Sequence, residues 1–351
     1  MKTVVKQVAG IDVAQKELVV SLGKMDQQWT PKIVGHKTFT NNSKGFNELR
    51  AWVSKQCDDQ VEVRYVMEST GVYHEALAYY LSGEGCAVSI VLPNKISNYF
   101  RTLKVRTITD KSASEAICLF GLERKLDDWK RAVPLYKTLR QLTRERDQLQ
   151  QELNQLQNQK HAELAEAEPN EGTLTRLNKR IKLLKDQAAE IWAEIREMLA
   201  KNQKVSATVK QLTSIPGVGA LTAVIVLAET NGFDLIRNQK QLTAYAGLDV
   251  KEKQSGTSVK GKAQISKRGN RHLRKAMHFP ALTAIRHDVH FKAVYLRIVE
   301  KQGIKMKAVV AVQRKILALM YTLYRSGKEY DKDYLQKIQI EKNEAERRQT
   351  A

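Results

Sequence analysis

The sequence predicts an α/β region followed by a mostly helical one. Three observations predict it. Short β-rich apolar runs alternate with helical stretches over residues 1–132, two heptad seams fill 133–203, and helix-period apolar patterns return over 204–328.

Taken in order, β-rich runs at 4–11, 18–22, 61–67 and 88–92 predict strands, and the stretches 46–56 and 73–81 predict helices packed on them. Leu135, Leu139, Leu142, Arg146, Leu149, Leu153 and Leu156 then step by alternating fours and threes. After a break at Pro169-Asn170-Glu171-Gly172, the pattern resumes with Leu174, Leu177, Ile181, Leu184, Ala188, Ile191, Ile195 and Met198. Two such seams joined by a turn predict an antiparallel coiled-coil hairpin, serving as an intramolecular spacer or as an oligomerisation arm. Ser214-Ile215-Pro216-Gly217-Val218-Gly219 opens the last helical region, and a polar, basic stretch covers 249–270. Helices are expected over 271–286 and 305–325; Val310, Ile316, Leu317, Met320 and Leu323 of the second read as core. The charged tail, 329–351, is expected to fray.

Composition narrows the function. Lys and Arg number 59 against 38 Asp and Glu, a net charge of +21, which favours a polyanionic partner such as nucleic acid. No apolar stretch approaches the ~20 residues a bilayer requires, and the first residues lack the apolar core of a secretory leader. Cys57, Cys86 and Cys118 lie far apart without a CxxC pair. A disulfide scaffold and a cysteine-rich zinc site are therefore excluded, and a cytoplasmic protein without membrane contact is expected. His272, His278, His287 and His290 lack metal-ligand spacing.

Three acids are candidate catalytic groups. Asp12 ends an apolar run in Ala9-Gly10-Ile11-Asp12, and Glu68 ends another in Tyr65-Val66-Met67-Glu68. Strand ends are where an open α/β sheet places its ligand crevice. Asp110 stands where a helix is expected to begin. Converging carboxylates repel, and a hard cation such as Mg²⁺ relieves the repulsion while binding phosphate oxygens. The plainer readings are a helix N-cap for Asp110 and a turn cap for Glu68. Asp12 resists such a reading, because a carboxylate buried without a partner is costly.

Residues 251–275 hold nine cations (Lys251, Lys253, Lys260, Lys262, Lys267, Arg268, Arg271, Arg274, Lys275) against the single acid Glu252. Ser255-Gly256-Thr257-Ser258 within it is either a solvated basic loop or a site where a serine attacks a phosphate among cations that offset its charge. Gly217 and Gly219 suit a phosphate-contacting helix-hairpin-helix turn or an ordinary tight turn. The basic run 95–106, with Tyr99 and Phe100, suits stacking on single-stranded RNA or an amphipathic helix with both rings inward; the second is favoured.

These segments resemble the DEDD insertion-sequence transposases of the IS110 and IS1111 groups, which include the Piv-type DNA invertases. The resemblance is carried by Gly10-Ile11-Asp12-Val13-Ala14, Met67-Glu68-Ser69-Thr70-Gly71-Val72-Tyr73 and Thr109-Asp110-Lys111. Ser214 to Gly219, Ala246-Gly247-Leu248 and Ser255 to Gly261 follow in the family's order. The resemblance implies a RuvC-like domain of the RNase H fold (1–132), a coiled-coil hairpin (133–203) and a transposase domain (204–328). It implies a Mg²⁺-dependent recombinase guided by a noncoding RNA that pairs with donor and target double-stranded DNA. It further implies a homo-oligomer, a tetramer built as a dimer of dimers, with composite sites. In this reading Asp12, Glu68 and Asp110 hold the metal, and Ser255, with Ser258 as fallback, forms a phosphoserine link to DNA. Gly217, Gly219, Lys253, Lys260, Lys262, Lys267, Arg268, Arg271 and Arg274 contact nucleic acid.

One position departs from the family's pattern. Its fourth acid falls three residues after the third, where this chain has Ala113. Glu115 lies about 140° round a helix from Asp110 and is a poor substitute. The chain is therefore expected to be either an inactivated variant or a natural divergent member. The rival functions are a metal-dependent, structure-selective endonuclease of junction-resolvase type, which needs the acids but not Ser255, and a non-catalytic nucleic-acid scaffold.

Overall fold

The computed structural model describes residues 4–334 except 70, 104, 106, 108, 253, 256–258 and 261–263, and at 254, 255, 259 and 260 only the backbone. The chain divides into two compact units, 1–131 and 132–351.

The first unit is built on β1 (Val4–Val13), β2 (Glu17–Asp26), β3 (Pro31–Thr40), β4 (Val63–Glu68) and β5 (Ala87–Val91). The sheet order is β3-β2-β1-β4-β5. β1, β2 and β3 run antiparallel to one another, whereas β4 is parallel to β1 and β5 to β4. The helices are α1 (Ser43–Ser54), α2 (Glu75–Gly83), α3 (Pro93–Phe100) and α4 (Asp110–Glu123).

Strand alternation assigns these helices to faces. Ala9, Ile11 and Val13 pack with Phe46, Leu49 and Val53 of α1 and Leu77, Ala78 and Leu81 of α2. Val8 and Val66 point the other way, to Ile96 of α3 and Ile117, Cys118 and Leu122 of α4. Helices on both faces of a mixed sheet fit an RNase H-like α/β fold.

Several expectations need correction here. The edge strand β3 has no counterpart among the expected strands. Asp12 is the penultimate residue of β1, not its last. The run from residue 95 forms only the short α3, which ends at Phe100. The favoured reading of an amphipathic helix does hold for Tyr99, which is buried against Phe120 with ring centroids 5.3 Å apart. Lys104 and Arg106 lie outside the described residues.

The second unit opens with α5 (Pro134–Leu164) and α6 (Glu171–Ala200). Pro134 begins the first, where its missing N–H costs nothing. Asn170 caps the second by accepting from Thr173 N at 2.9 Å, and Glu163 Oε1 closes the turn by accepting from Asn170 N at 2.8 Å. The distal halves of the two helices share a seam of Leu153, Leu156, Leu177 and Leu184. Their proximal halves, through Leu139, Leu142, Ile191 and Ile195, belong to the large core of the unit.

That core is completed by α7 (Gln203–Thr213), α8 (Ala220–Glu229), α9 (Gln239–Tyr245), α10 (Arg271–Ala276), α11 (His278–His287), α12 (Val289–Gln302) and α13 (Lys305–Ser326). The single helix expected over 271–286 is thus two. Between α9 and α10 lie four two-residue strands, β6 (Val250–Lys251), β7 (Gln254–Ser255), β8 (Val259–Lys260) and β9 (Gln264–Ile265). β6 pairs with β9, and β7 with β8.

The tail does not fray where expected. Tyr330 N donates to Ser214 Oγ, its hydroxyl donates to Asp288 Oδ2 at 2.8 Å, and its ring stacks on Phe291. The rest of the tail, from 335, lies outside the described residues. No helix among the described residues is long and apolar enough to cross a membrane.

Candidate active site

The site in the first unit follows from one glycine and one strand pairing. Gly10 of β1 lies so close to α4 that a Cβ there would collide with the Cys118 backbone. Gly121, one turn further along, lies against Val8 and Val66, where a Cβ would come within 2.7 Å of Val8 Cγ1. The helix therefore runs antiparallel to β1 at close range, and its first turn reaches the Asp12 end of the strand. The parallel pairing matches Gly10 with Val66 and Ile11 with Met67, so Asp12 and Glu68 come next in register on the face that α4 covers.

Asp110 is the first residue of α4, where a helix was expected to begin, and the plainer reading of it as the N-cap does not hold. Thr109 is the cap: its hydroxyl accepts from Ser112 N at 3.1 Å, while Ser112 Oγ accepts from Thr109 N at 2.8 Å. Freed from capping, the exposed Asp110 side chain still profits from the positive end of the helix.

Electrostatics ties the three acids together. The half-buried Asp12 carboxyl is pushed up to about 6 by burial first, then by the charges of Asp110 and Glu68, against a bond from the Val13 backbone. The three do not form a closed ligand shell: among the described residues, no three His, Cys, Asp or Glu side chains stand close enough to hold a metal. Carboxylates that repel one another in a half-buried setting nonetheless fit, as a donor set, a hard divalent ion that keeps several waters. Ala113 is half-buried on α4 and follows Asp110 at the i, i+3 spacing that puts side chains on neighbouring positions of one helix surface.

In the second unit the expected contacts sort into three groups. Lys267, Arg268 and Arg271 are exposed. Arg274 is half-buried, and its Nη1 donates to the carbonyls of Ala246 at 2.9 Å and Gly269 at 3.2 Å. Lys253 and Lys262, with Ser258, lie outside the described residues, as do the side chains of Ser255 and Lys260. Gly217, at φ +87°, is dictated by packing, since a Cβ would meet the Pro280 carbonyl of α11. Gly219 is the N-cap of α8 and faces open space.

Sequence reasoning missed the most deeply set charge among the described residues of this unit. Glu229, at the end of α8, is 1% exposed. It accepts from Arg144 Nε at 2.7 Å, Arg144 Nη2 at 2.8 Å and Asn270 Nδ2 at 2.6 Å. Burial works to raise its pKa, but these bonds outweigh it and hold the carboxyl below the ordinary range. Its signal was an acid ending the apolar run of α8, the same signal that singled out Asp12.

Comparison with known proteins follows the two units. The DEDD transposase family model of the IS110 type matches residues 9–169, and the "Transposase IS116/IS110/IS902 family" model matches 209–296. The chain is 26% identical over 296 residues to the pilin gene-inverting protein of Moraxella bovis, covering 84% of this chain and 90% of that one. It is 30% identical over 145 residues to the transposase for insertion sequence element IS1111A of Coxiella burnetii, covering 40% of this chain and 39% of that one. RuvC of T. thermophilus in complex with a Holliday junction substrate aligns with 32% of this chain and 90% of its own, at 12% identity and a TM-score of 0.26, a likeness too slight to build on.

Proposed function

The chain belongs to the IS110-type DEDD transposase and recombinase family and is an enzyme acting on DNA, and from that premise we propose that it is the RNA-guided recombinase of an insertion sequence. In this reading Asp12, Glu68 and Asp110 hold Mg²⁺, and Ser255 is the nucleophile. The observation that supports it is the register of β1 with β4, with α4 laid over their ends, where the half-buried Asp12 meets the charges of Asp110 and Glu68. A bound divalent ion there supplies neutralising charge beside the scissile phosphate. Ser255 Oγ forms a bond to phosphorus, one P–O bond to a sugar breaks, and the serine proton is balanced by protonation of the departing sugar oxygen. The phosphoserine conserves the bond for strand exchange, so no outside energy source is required.

Other parts of the chain take supporting roles. Lys253, Lys260, Lys262, Lys267, Arg268 and Arg271 line the path of the nucleic acid, and Gly219 offers the α8 N-terminus to a phosphate. The guide RNA reads donor and target, so no protein segment encodes sequence. The three regions 1–132, 133–203 and 204–328 act as catalytic domain, coiled-coil arm and transposase domain of a cytoplasmic tetramer. Ala113 leaves the chain inactivated, because it supplies no oxygen where a fourth carboxylate completes the donor set.

The test compares Ala113→Asp with Ala113→Asp/Ser255→Ala on donor and target DNA with Mg²⁺ and the RNA that co-purifies. The first is expected to give a protein–DNA adduct on a denaturing gel and recombinant product, and the second neither. Strand cleavage that persists without Ser255 would replace this reading by the metal-dependent nuclease. Equal recombination by the unaltered chain and by Ala113→Asp would end the inactivation reading, and absence of co-purifying RNA would end the guided one.

A further inference from the structure

The segment that carries Ser255 leaves the helical core at Gly247 and returns at Asn270. Among the described residues its strands pair as β6 with β9 and β7 with β8. Its root carries several further bonds. Ser266 N donates to Asp249 O at 2.8 Å, and Ser266 Oγ donates to Asp249 Oδ1 at 2.5 Å. Lys267 N donates to Gly247 O at 3.1 Å and Asn270 N to Tyr245 O at 2.7 Å. Gly269 leaves no room for a Cβ against the Tyr245 carbonyl.

All of this converges on Glu229. Asn270 Nδ2 donates to Glu229 Oε2 at 2.6 Å, while Asn270 Oδ1 caps α10 by accepting from His272 N and Leu273 N. The Tyr245 hydroxyl donates to Glu229 O at 3.1 Å, so entry and exit of the segment are fastened to one residue. Arg144 of α5 occupies both carboxylate oxygens from the other side. A buried carboxylate tolerates few arrangements, because any that breaks one of these bonds strands a charge away from water.

We propose that Glu229 is a positioning residue for strand transfer. Through Asn270 and Tyr245 it fixes the root of the β6–β9 segment, and thereby the place from which Ser255 reaches the phosphate. The inference rests on the reading of Ser255 as nucleophile and goes beyond it by assigning Glu229, Arg144 and Asn270. A charge that served stability alone would show in unfolding and not in the rate of a folded enzyme.

The experiment uses Glu229→Asp in the full-length Ala113→Asp protein, with its RNA. This change keeps the charge and draws the Asn270 anchor in by one methylene. At a temperature well below unfolding, the rate of adduct formation is expected to fall 10- to 100-fold with KM for DNA unchanged, the scale of an ångström of misplacement. Deuterium uptake is expected to rise at β6 and β9 and to stay constant at α13. Ser266→Ala, which removes one bond at the opposite side of the root, is expected to act in the same direction by several-fold and guards against misfolding of the first variant. Unchanged rates in both, with only a lowered Tm, would overturn the proposal. Ser255→Ala, run in parallel, separates the two readings: if it leaves the adduct intact, the nucleophile assignment fails, whereas its loss together with full rates for the root variants fails Glu229 alone.

Discussion

Asp12 and Glu229 make an instructive pair. Both are acids ending apolar elements, one in each unit, and both meet the same opposition from burial. Asp12 has two further carboxylates as its charged company and is pushed up; Glu229 has a guanidinium and an amide and is held down. A carboxylate whose bonds are complete within the chain is part of the fold. One whose neighbours make it worse is left unsatisfied by the fold, which is why the proposed function assigns it to a cation.

The largest effect that would break this contrast is on catalysis. Asp12→Asn in the Ala113→Asp protein is expected to lower DNA cleavage about a thousand-fold while raising Tm, since it removes a repelled charge. A fall in both activity and Tm would make Asp12 a structural residue. Next comes Arg144→Met, which strands the Glu229 carboxylate and is expected to cost about 3 kcal/mol in denaturant unfolding. A cost near zero would mean that Asn270 alone satisfies Glu229.

Opposite pH responses would sharpen the comparison. Asp12 has a raised folded pKa, so its contribution is present below the ordinary 3.8 and is lost as pH rises through about 6. Glu229 has a lowered one, so its contribution is present above the ordinary 4.5 and is lost as pH falls through its folded value. Metal-free protein is therefore expected to lose about 1 kcal/mol between those limits through Asp12, after allowance for its solvent exposure, and Asp12→Asn to flatten that slope. An unchanged slope in Asp12→Asn would assign the titration elsewhere. The smallest effects concern the basic segment. Lys267→Ala, Arg268→Ala and Arg271→Ala are each expected to reduce the salt dependence of DNA binding by about one counterion. Arg274→Ala is expected to leave that slope alone and lower Tm, because its guanidinium serves two backbone carbonyls.

What the sequence revealed and what it hid have physical causes. β1, β4 and the long helices were legible because their apolar runs and heptads answer to burial that the local pattern records. β3 was not: at the sheet edge it buries Phe39 alone, and Lys32, His36 and Lys37 hide its alternation. The acids Asp12, Glu68 and Asp110 could be named as candidates, but their shared face needed the Gly10–Cys118 approach and the β1–β4 register. The bond from Arg144 to Glu229 spans 85 residues, and no spacing rule reaches that far. Arg274 looked like one more cation in a basic stretch, since composition cannot distinguish a guanidinium facing solvent from one turned onto backbone.

The helical hairpin has a further consequence. Its 31-residue first helix measures ~46 Å at 1.5 Å per residue. The half near the core packs among other helices, while the apolar seam of the outer half is shared with its twin. It is thus a ruler with its zero set in the core. Removing one heptad from each arm near the tip would shorten it by ~10 Å while keeping its phase, so any spacing it sets can be changed in increments without disturbing either carboxylate.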